Sequence, residues 1–143
     1  MEGPPEYREL EHTADVGFEL EATSETGAFE AAALAMFDLM VELDGVRPRE
    51  VRTIRATGTT GDRENLLIRW LTELLYLYEA DRFAVGAVTV TSLGAREIAA
   101  SVTGEPIDPA RHTLRSEIKA ATYHDLELSE RGGRWRVRVI FDT

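Results

Sequence analysis

The chain has no cysteine and no long hydrophobic run, and each absence excludes a class of protein; it also has only one lysine. Without cysteine there is no disulfide, thiolate zinc site or cysteine nucleophile. No apolar stretch approaches the roughly 20 residues of a membrane-spanning helix. Residues 1–6 have neither the basic start nor the apolar core of a signal peptide. The sequence therefore predicts a cytoplasmic protein with no membrane segment.

Basic residues are also few, because 16 Lys and Arg stand against 26 Asp and Glu, for a net charge of −10. Proteins that bind nucleic acid directly concentrate basic residues against the phosphates, so we expect no direct nucleic-acid binding. An acidic surface suits solubility, divalent cations or docking onto a basic protein. The length of 143 residues, with 43% apolar and 29% charged residues, predicts one domain over 1–143 with an ordinary core.

Apolar periodicity predicts two main helices. Ser24 is typical of an N-cap, and apolar residues then recur at helical spacing, which predicts an amphipathic helix over 25–43. Asp62 caps a second helix, which ends near residue 81. The apolar stripe of that helix contains Leu67, Trp70, Leu71, Leu74, Leu77 and Tyr78. Residues 58–61 are interpreted as a turn because they lack the Lys-Ser/Thr ending of a phosphate-binding P-loop.

Alternating apolar residues predict strands around both helices. They are expected over 7–11, 16–22, 51–57, 83–91, 95–103, 117–128 and 135–141, with a hairpin turn at 131–133. Residues 104–113 are expected to form a surface loop. Two helices on largely antiparallel strands predict an α+β sandwich. The two halves could be copies of one strand-helix-strand-strand unit, although the sequence shows no clear repeat.

Two aspartates at the ends of the chain form a candidate metal site. Asp15 stands at the mouth of the first long strand, and Asp142 directly follows the last apolar run. If the first and last strands are neighbours, these carboxylates meet, and Thr143 adds its terminal carboxylate or its carbonyl. Such hard oxygen ligands suit Ca²⁺, Mg²⁺ or Mn²⁺. The alternative is an aspartate that caps a turn and an ordinary terminal aspartate.

Other polar residues also have a functional and a structural interpretation. His12 could be a metal ligand or a general base, but a histidine beside Thr and Asp is more often a local hydrogen-bond partner. Lys119, the only lysine, could contact a phosphate, a carboxylate or a partner, or could be a charge at a strand edge. Asp38 lies between core positions of the first helix and could face the site, but it is rather expected to be solvated. These residues alone predict an acidic domain without a defined reaction.

Five motifs, in the same order along nearly the whole chain, resemble the archease family. They are 11–17 (EHTADVG), 33–40 (ALAMFDLM), 71–77 (LTELLYL), 119–124 (KAATYH, of the family form KAxTYH) and 139–142 (VIFD). None is decisive alone, but jointly they are highly specific. The sequence departs from the family pattern at Ala121, where a larger apolar residue is usual, and at Thr143, where relatives often end in an aliphatic residue. Neither departure affects Asp142.

The resemblance implies a protein cofactor and not an enzyme. Archeases activate the RtcB-type RNA ligase, which joins tRNA halves and repairs broken RNA, by promoting its guanylylation with GTP and metal and so its multiple turnover. It implies a two-layer α/β sandwich of nested strand-helix-strand-strand units, and a metal site at Asp15 and Asp142, to which we add Thr143. Calcium is the first expectation, with magnesium or manganese as alternatives. Lys119 is a functional position of the family, and we group His12 with it as partner-activating.

Two other functions compete with this expectation. One is a general chaperone or assembly factor for RNA-processing proteins, which would stabilise them without affecting their chemistry. The other is a metal-dependent hydrolase that uses Asp15, Asp142 and His12. Against the hydrolase, two carboxylates and one histidine on a corner come without an evident pocket or nucleophile.

Overall fold

The described part of the computed structural model, residues 3–11 and 15–143, contains two α-helices, one short 3₁₀-helix (Leu43–Gly45) and eight β-strands. The helices are α1 (Glu25–Met40) and α2 (Arg63–Asp81). The strands are β1 (Arg8–Glu11), β2 (Asp15–Ala22), β3 (Glu50–Thr57), β4 (Phe83–Leu93), β5 (Glu97–Pro106), β6 (Ala120–Ala121), β7 (Glu127–Arg131) and β8 (Arg134–Asp142). In this described part, no helix has the length and apolarity needed to cross a membrane.

The predicted caps begin both helices. The Ser24 hydroxyl accepts a hydrogen bond from the Gly27 N–H at 3.0 Å, and the Asp62 carboxylate accepts one from the Asn65 N–H at 3.0 Å. Helix α1 ends at Met40, earlier than the predicted residue 43, because Val41 is extended and bridges to another segment. Its last turn therefore gives way to strand-like pairing, which the local sequence does not encode.

Helix α1 is buried on nearly all faces, although its sequence predicts an amphipathic helix. Residues 36–40 are buried without interruption. The reason is that α1 packs against β2 and β8 on one side, against β4 on another, and against α2. Helix α2 instead keeps an exposed face, and its predicted apolar stripe is buried except for Tyr78, which is half-buried. Most buried apolar side chains of both helices and both sheets form one cluster.

The strands form two antiparallel sheets, and each sheet contains one unit whose strands follow the same pairing order. One sheet has the order β1-β2-β8-β6, with β7 also paired to β8, and the other has the order β3-β5-β4. The unit β3-α2-β4-β5 is inserted into the unit formed by β2, α1, β7 and β8. In both units the first strand pairs with the last, and the last with the third. The two units are therefore nested, which confirms the expected α+β fold and explains why the halves show no tandem repeat.

The predicted long strand over 117–128 is wrong, because its pairing with β8 is interrupted. Ala121 pairs with Phe141, Thr122 donates its N–H to the Ile140 carbonyl, and Glu127 then pairs with Arg138. Residues 123–126 consequently lie opposite Val139 alone. We call residues 123–126 the 123–126 bulge; it separates β6 from β7. The hairpin between β7 and β8 turns at Gly132-Gly133 with positive φ at both residues, as predicted.

The predicted surface loop over 104–113 is also wrong in part. Strand β5 continues to Pro106, and two polar side chains of this segment are buried: Glu105 is 1% exposed and His112 is 4% exposed. The Glu105 carboxylate accepts hydrogen bonds from the Arg47 N–H at 2.8 Å and from His112 Nε2 at 2.8 Å, and it pairs with Arg111 at 2.6 Å. Burial raises the pKa of Glu105, but these donors, Arg111 first, lower it to about 2.

Candidate functional site

The first and last long strands are neighbours, as the candidate metal site requires. Strands β2 and β8 pair antiparallel along their length, and in this register Asp15 is the direct partner of Asp142. Directly opposed residues of an antiparallel pair lie on the same face, with Cβ atoms about 4.5–5.5 Å apart. The two aspartates predicted to meet therefore stand side by side at one end of the sheet.

Strand alternation turns both carboxylates away from the core. Phe18 and Val139 are paired and fully buried against the helices. Asp15 and Asp142 are out of phase with that pair, so they lie on the outer face. Asp15 is half-buried and Asp142 is exposed. The pattern of the sequence thus supports a corner open to solvent and not a buried cleft.

Asp15 and Asp142 form a like-charge pair that nothing in the described part of the chain neutralises. Within residues 3–11 and 15–143, no cation or hydrogen-bond donor contacts either side-chain carboxylate. On the same face, Glu19 stands opposite Arg138 and pairs with it at 3.3 Å. Like charges opposed across strands are destabilising. A bound cation would remove this repulsion, so the pair fits a hard divalent ion in its donor chemistry.

The donor set from side chains is small. No group of three or more His, Cys, Asp or Glu residues meets in a metal-binding arrangement within the described residues. Since calcium takes about 6–8 oxygens, an ion at Asp15 and Asp142 needs further donors, such as backbone, terminus or water. Thr143 is exposed and follows Asp142 directly, so it lies at this end of β8. His12 lies outside the described residues, and its role stays a prediction.

Lys119 belongs to the same corner. It lies just before β6, and its N–H donates to the Asp142 carbonyl at 2.8 Å. The next residue, Ala120, is the strand partner of Asp142. The Lys119 side chain is exposed. Three of the residues singled out in the sequence, which are far apart along the chain, therefore converge on one end of the sheet.

A polar network around buried Asp38 fixes the end of α1 to the segment that precedes Lys119, and the sequence analysis did not predict it. Asp38 is only 8% exposed, so the prediction that it is solvated is wrong. It accepts hydrogen bonds from the Tyr7 hydroxyl at 2.8 Å and the Leu43 N–H at 3.2 Å, and it pairs with Arg115 at 3.4 Å. Arg115 also donates its N–H to the Met40 carbonyl. Burial, then the bond to Asp38, raises the pKa of Tyr7 to about 12. The only sequence signal was the position of Asp38 between core residues.

Fold and corner together define a class: an acidic α+β domain of two nested units that presents paired carboxylates and a lysine on an open surface. Residues 7–143 match the model of the Archease protein family (MTH1598/TM1083), and the chain belongs to this family. It is 38% identical to the protein archease of Methanosarcina mazei, over 95% of this chain and 94% of the relative. It is 37% identical to that of Methanopyrus kandleri, over 95% and 98%.

Two solved structures share the fold. The solution structure of Methanobacterium thermoautotrophicum protein 1598 superposes with a TM-score of 0.78 at 31% identity, over 100% of both chains. The crystal structure of a Thermotoga maritima archease, described as a possible chaperone, gives a TM-score of 0.64 at 21% identity, over 94% of both chains. The second likeness concerns the fold alone. Both agree with the two-layer architecture expected from the sequence.

Proposed function

We propose that this protein activates an RtcB-type RNA ligase, promoting its guanylylation and its multiple turnover. One observation carries the proposal: Asp15 stands opposite Asp142 without a neutralising partner among the described residues, and Lys119 is hydrogen-bonded to the same strand end. Membership of the archease family supports it. The site of action is the cytoplasm, where tRNA and broken RNA are joined.

Asp15 and Asp142 hold a divalent cation, with Thr143 as a further donor. Calcium is the first candidate, and magnesium or manganese are the alternatives. When bound, the ion supplies positive charge to an otherwise repulsive pair. An RNA-handling enzyme is basic around its active site, because it contacts phosphates. The acidic corner docks at the basic entrance to the ligase active site and holds the ligase in the geometry that accepts GTP.

In this proposal the ligase carries out the chemistry. Lys119 is exposed beside the acidic corner, where an ammonium group can pair with a carboxylate or phosphate of the ligase complex. Asp15 and Asp142 bind and orient, and neither serves as nucleophile or base. The protein is thus a non-catalytic activator of the ligase.

The direct test uses pure, already folded ligase with GTP, metal and a nicked RNA substrate. Adding this protein should raise the guanylylated fraction of the ligase, and the ligated product should exceed one RNA per ligase. A general chaperone, the role suggested for the Thermotoga relative, would reduce ligase aggregation on heating without raising guanylylation. Unchanged guanylylation and turnover would reject the proposal, and phosphoester hydrolysis by the protein alone would favour the hydrolase.

Lys119→Ala is expected to weaken the stimulation of ligation about tenfold, because the variant loses an exposed charge that pairs with the ligase. Calcium binding, measured by isothermal titration, should stay unchanged, since Lys119 is hydrogen-bonded to Asp142 through its backbone N–H, which the substitution keeps. Lys119→Arg, which keeps the charge, serves as the control and should retain most of the stimulation. Full stimulation by the alanine variant would remove Lys119 from the activating surface.

A further inference from the structure

The 123–126 bulge is a built feature and not a frayed strand. The Leu126 N–H donates to the Tyr123 carbonyl at 3.2 Å, which closes a turn. Asp125 has φ of 52°, a left-handed conformation that few residues other than glycine adopt. Arg138 Nε donates to the Asp125 carbonyl at 2.9 Å, and the His124 N–H donates to the Thr122 hydroxyl at 3.3 Å. Bulges often re-aim a side chain beside a functional site.

The side chain that the bulge re-aims is Tyr123. Tyr123 as a residue is 57% exposed, and it is one of few large apolar residues left in solvent among the described residues. Its hydroxyl accepts a hydrogen bond from Asn65 Nδ2 at 2.7 Å, at the start of α2. Asn65 is itself fixed, because its Oδ1 accepts from the Thr59 N–H at 2.9 Å and its N–H binds the Asp62 cap. An exposed aromatic ring is therefore held from both ends.

The segment that carries this ring begins at the corner, since the Lys119 N–H bonds to the Asp142 carbonyl and Ala120 pairs with Asp142. The residue before the bulge, Thr122, bonds to Ile140, close to the end of β8 that carries Asp142. We infer that Tyr123 is an aromatic anchor of the ligase interface, which enters an apolar pocket on the basic surface of the ligase. This inference rests on the proposed function.

Physical chemistry favours a protein pocket as the place for this ring. Tyrosine is enriched at the energetic centres of protein interfaces, since it buries a large rigid surface with little loss of conformational entropy. The hydrogen bond to Asn65 orders the ring before binding, which reduces that loss further. Tyrosine also stacks on unpaired RNA bases, but a chain with a net charge of −10 repels their phosphates. Charge complementarity thus selects the basic protein.

The test is the dependence of ligation rate on the concentration of this protein, with ligase binding measured in parallel by isothermal titration. Tyr123→Ala should raise both the half-maximal concentration and the Kd about thirtyfold, the loss typical of an interface anchor, and leave the maximal stimulation unchanged. Tyr76→Ala is the matched control: Tyr76 is 68% exposed and lies about 16 Å along the α2 axis from Asn65. Tyr123→Phe keeps the ring and should lose less than fivefold.

The outcomes separate the anchor from the proposed function. If the wild-type protein stimulates the ligase and Tyr123→Ala behaves like Tyr76→Ala, the anchor is overturned and the function stands. If the wild-type protein binds the ligase without stimulating it, and Tyr123→Ala loses binding, the anchor stands and the function fails. A wild-type protein that does neither overturns both. If Tyr123→Ala instead loses affinity for single-stranded RNA, or loses self-association in sedimentation, the ring serves another occupant and the anchor is overturned.

Discussion

Asp15→Asn, or Asp142→Asn, is expected to abolish the multiple-turnover stimulation of the ligase and to leave a folded protein that no longer responds to calcium. Each substitution is also expected to change the free energy of unfolding, with one sign in the absence of metal and the opposite sign in its presence. Without metal, the wild-type carboxylates repel each other across β2 and β8, so either variant should be more stable by up to about 1 kcal/mol. With metal, only the wild-type protein gains stability, because an ion stabilises the state that binds it.

Thermal unfolding in chelator and in excess calcium measures both signs in one experiment. The wild-type Tm should rise with calcium, whereas the Tm of the Asn variants should be higher than wild type in chelator and unresponsive to calcium. Glu21→Gln is the matched control, since Glu21 lies on the same face of β2 and pairs with Arg134 at 2.6 Å. It should keep the calcium response. Variants of Asp15 that stimulate the ligase fully would show that the carboxylate corner is not the working part.

The outward orientation of Asp15 and Asp142 could be predicted because it depends on local patterns. The alternation around Phe18 and Val139 identifies two half-buried strands, and it fixes which side chains face the core. Each aspartate then falls on the outer face by phase alone. Pairing of the two strands was the single step that needed tertiary knowledge, and a short sandwich with a closing hairpin makes it reasonable.

The bulge could not be predicted, because its causes lie elsewhere in the chain. The segment after Lys119 alternates well enough to predict one continuous strand. Its interruption is fixed by Arg138, which binds the Asp125 carbonyl, and by Asn65, which binds Tyr123. The burial of Asp38 has a similar origin, since its partners are Tyr7, just before β1, and Arg115, in the segment before β6. Periodicity encodes which face is apolar, whereas long-range hydrogen bonds decide where a strand breaks.

Glu105 shows the same limit, since two prolines and several polar residues nearby are typical of a surface loop. Its carboxylate is instead the acceptor that joins the end of β5 to the chain at Arg47 and to Arg111. His112 Nδ1 accepts from the Asp108 N–H at 2.8 Å, so the hydrogen of His112 is on Nε2 and is donated to Glu105. A carboxylate in a loop-like composition can thus be the most buried charge of the described residues.

Glu105→Ala is therefore expected to be the most destabilising single change among those considered, at about 3–5 kcal/mol, because it leaves the buried His112 Nε2–H and the Arg47 N–H without their acceptor and removes the ion pair of Arg111. Glu97→Ala, an exposed carboxylate at the other end of the same strand, is the control and should cost less than about 0.5 kcal/mol. Urea denaturation at pH 7 measures both values. A cost for Glu105→Ala similar to that of Glu97→Ala would contradict the acceptor role.

The acid dependence of stability tests the same group independently. The pKa of Glu105 is about 2 in the folded protein and near 4.5 when unperturbed, so the unfolded chain takes up the proton first as the pH falls. This contribution is complete above pH 4.5 and is lost between pH 4.5 and 2, about 3 kcal/mol in all and about 2 kcal/mol by pH 3. Glu105→Gln cannot titrate, so between pH 7 and 3 it should lose about 2 kcal/mol less than the wild-type protein. The substitution removes only the Glu105 carboxylate from titration. If both proteins lose the same unfolding free energy between pH 7 and 3, the acid sensitivity therefore comes from other carboxylates.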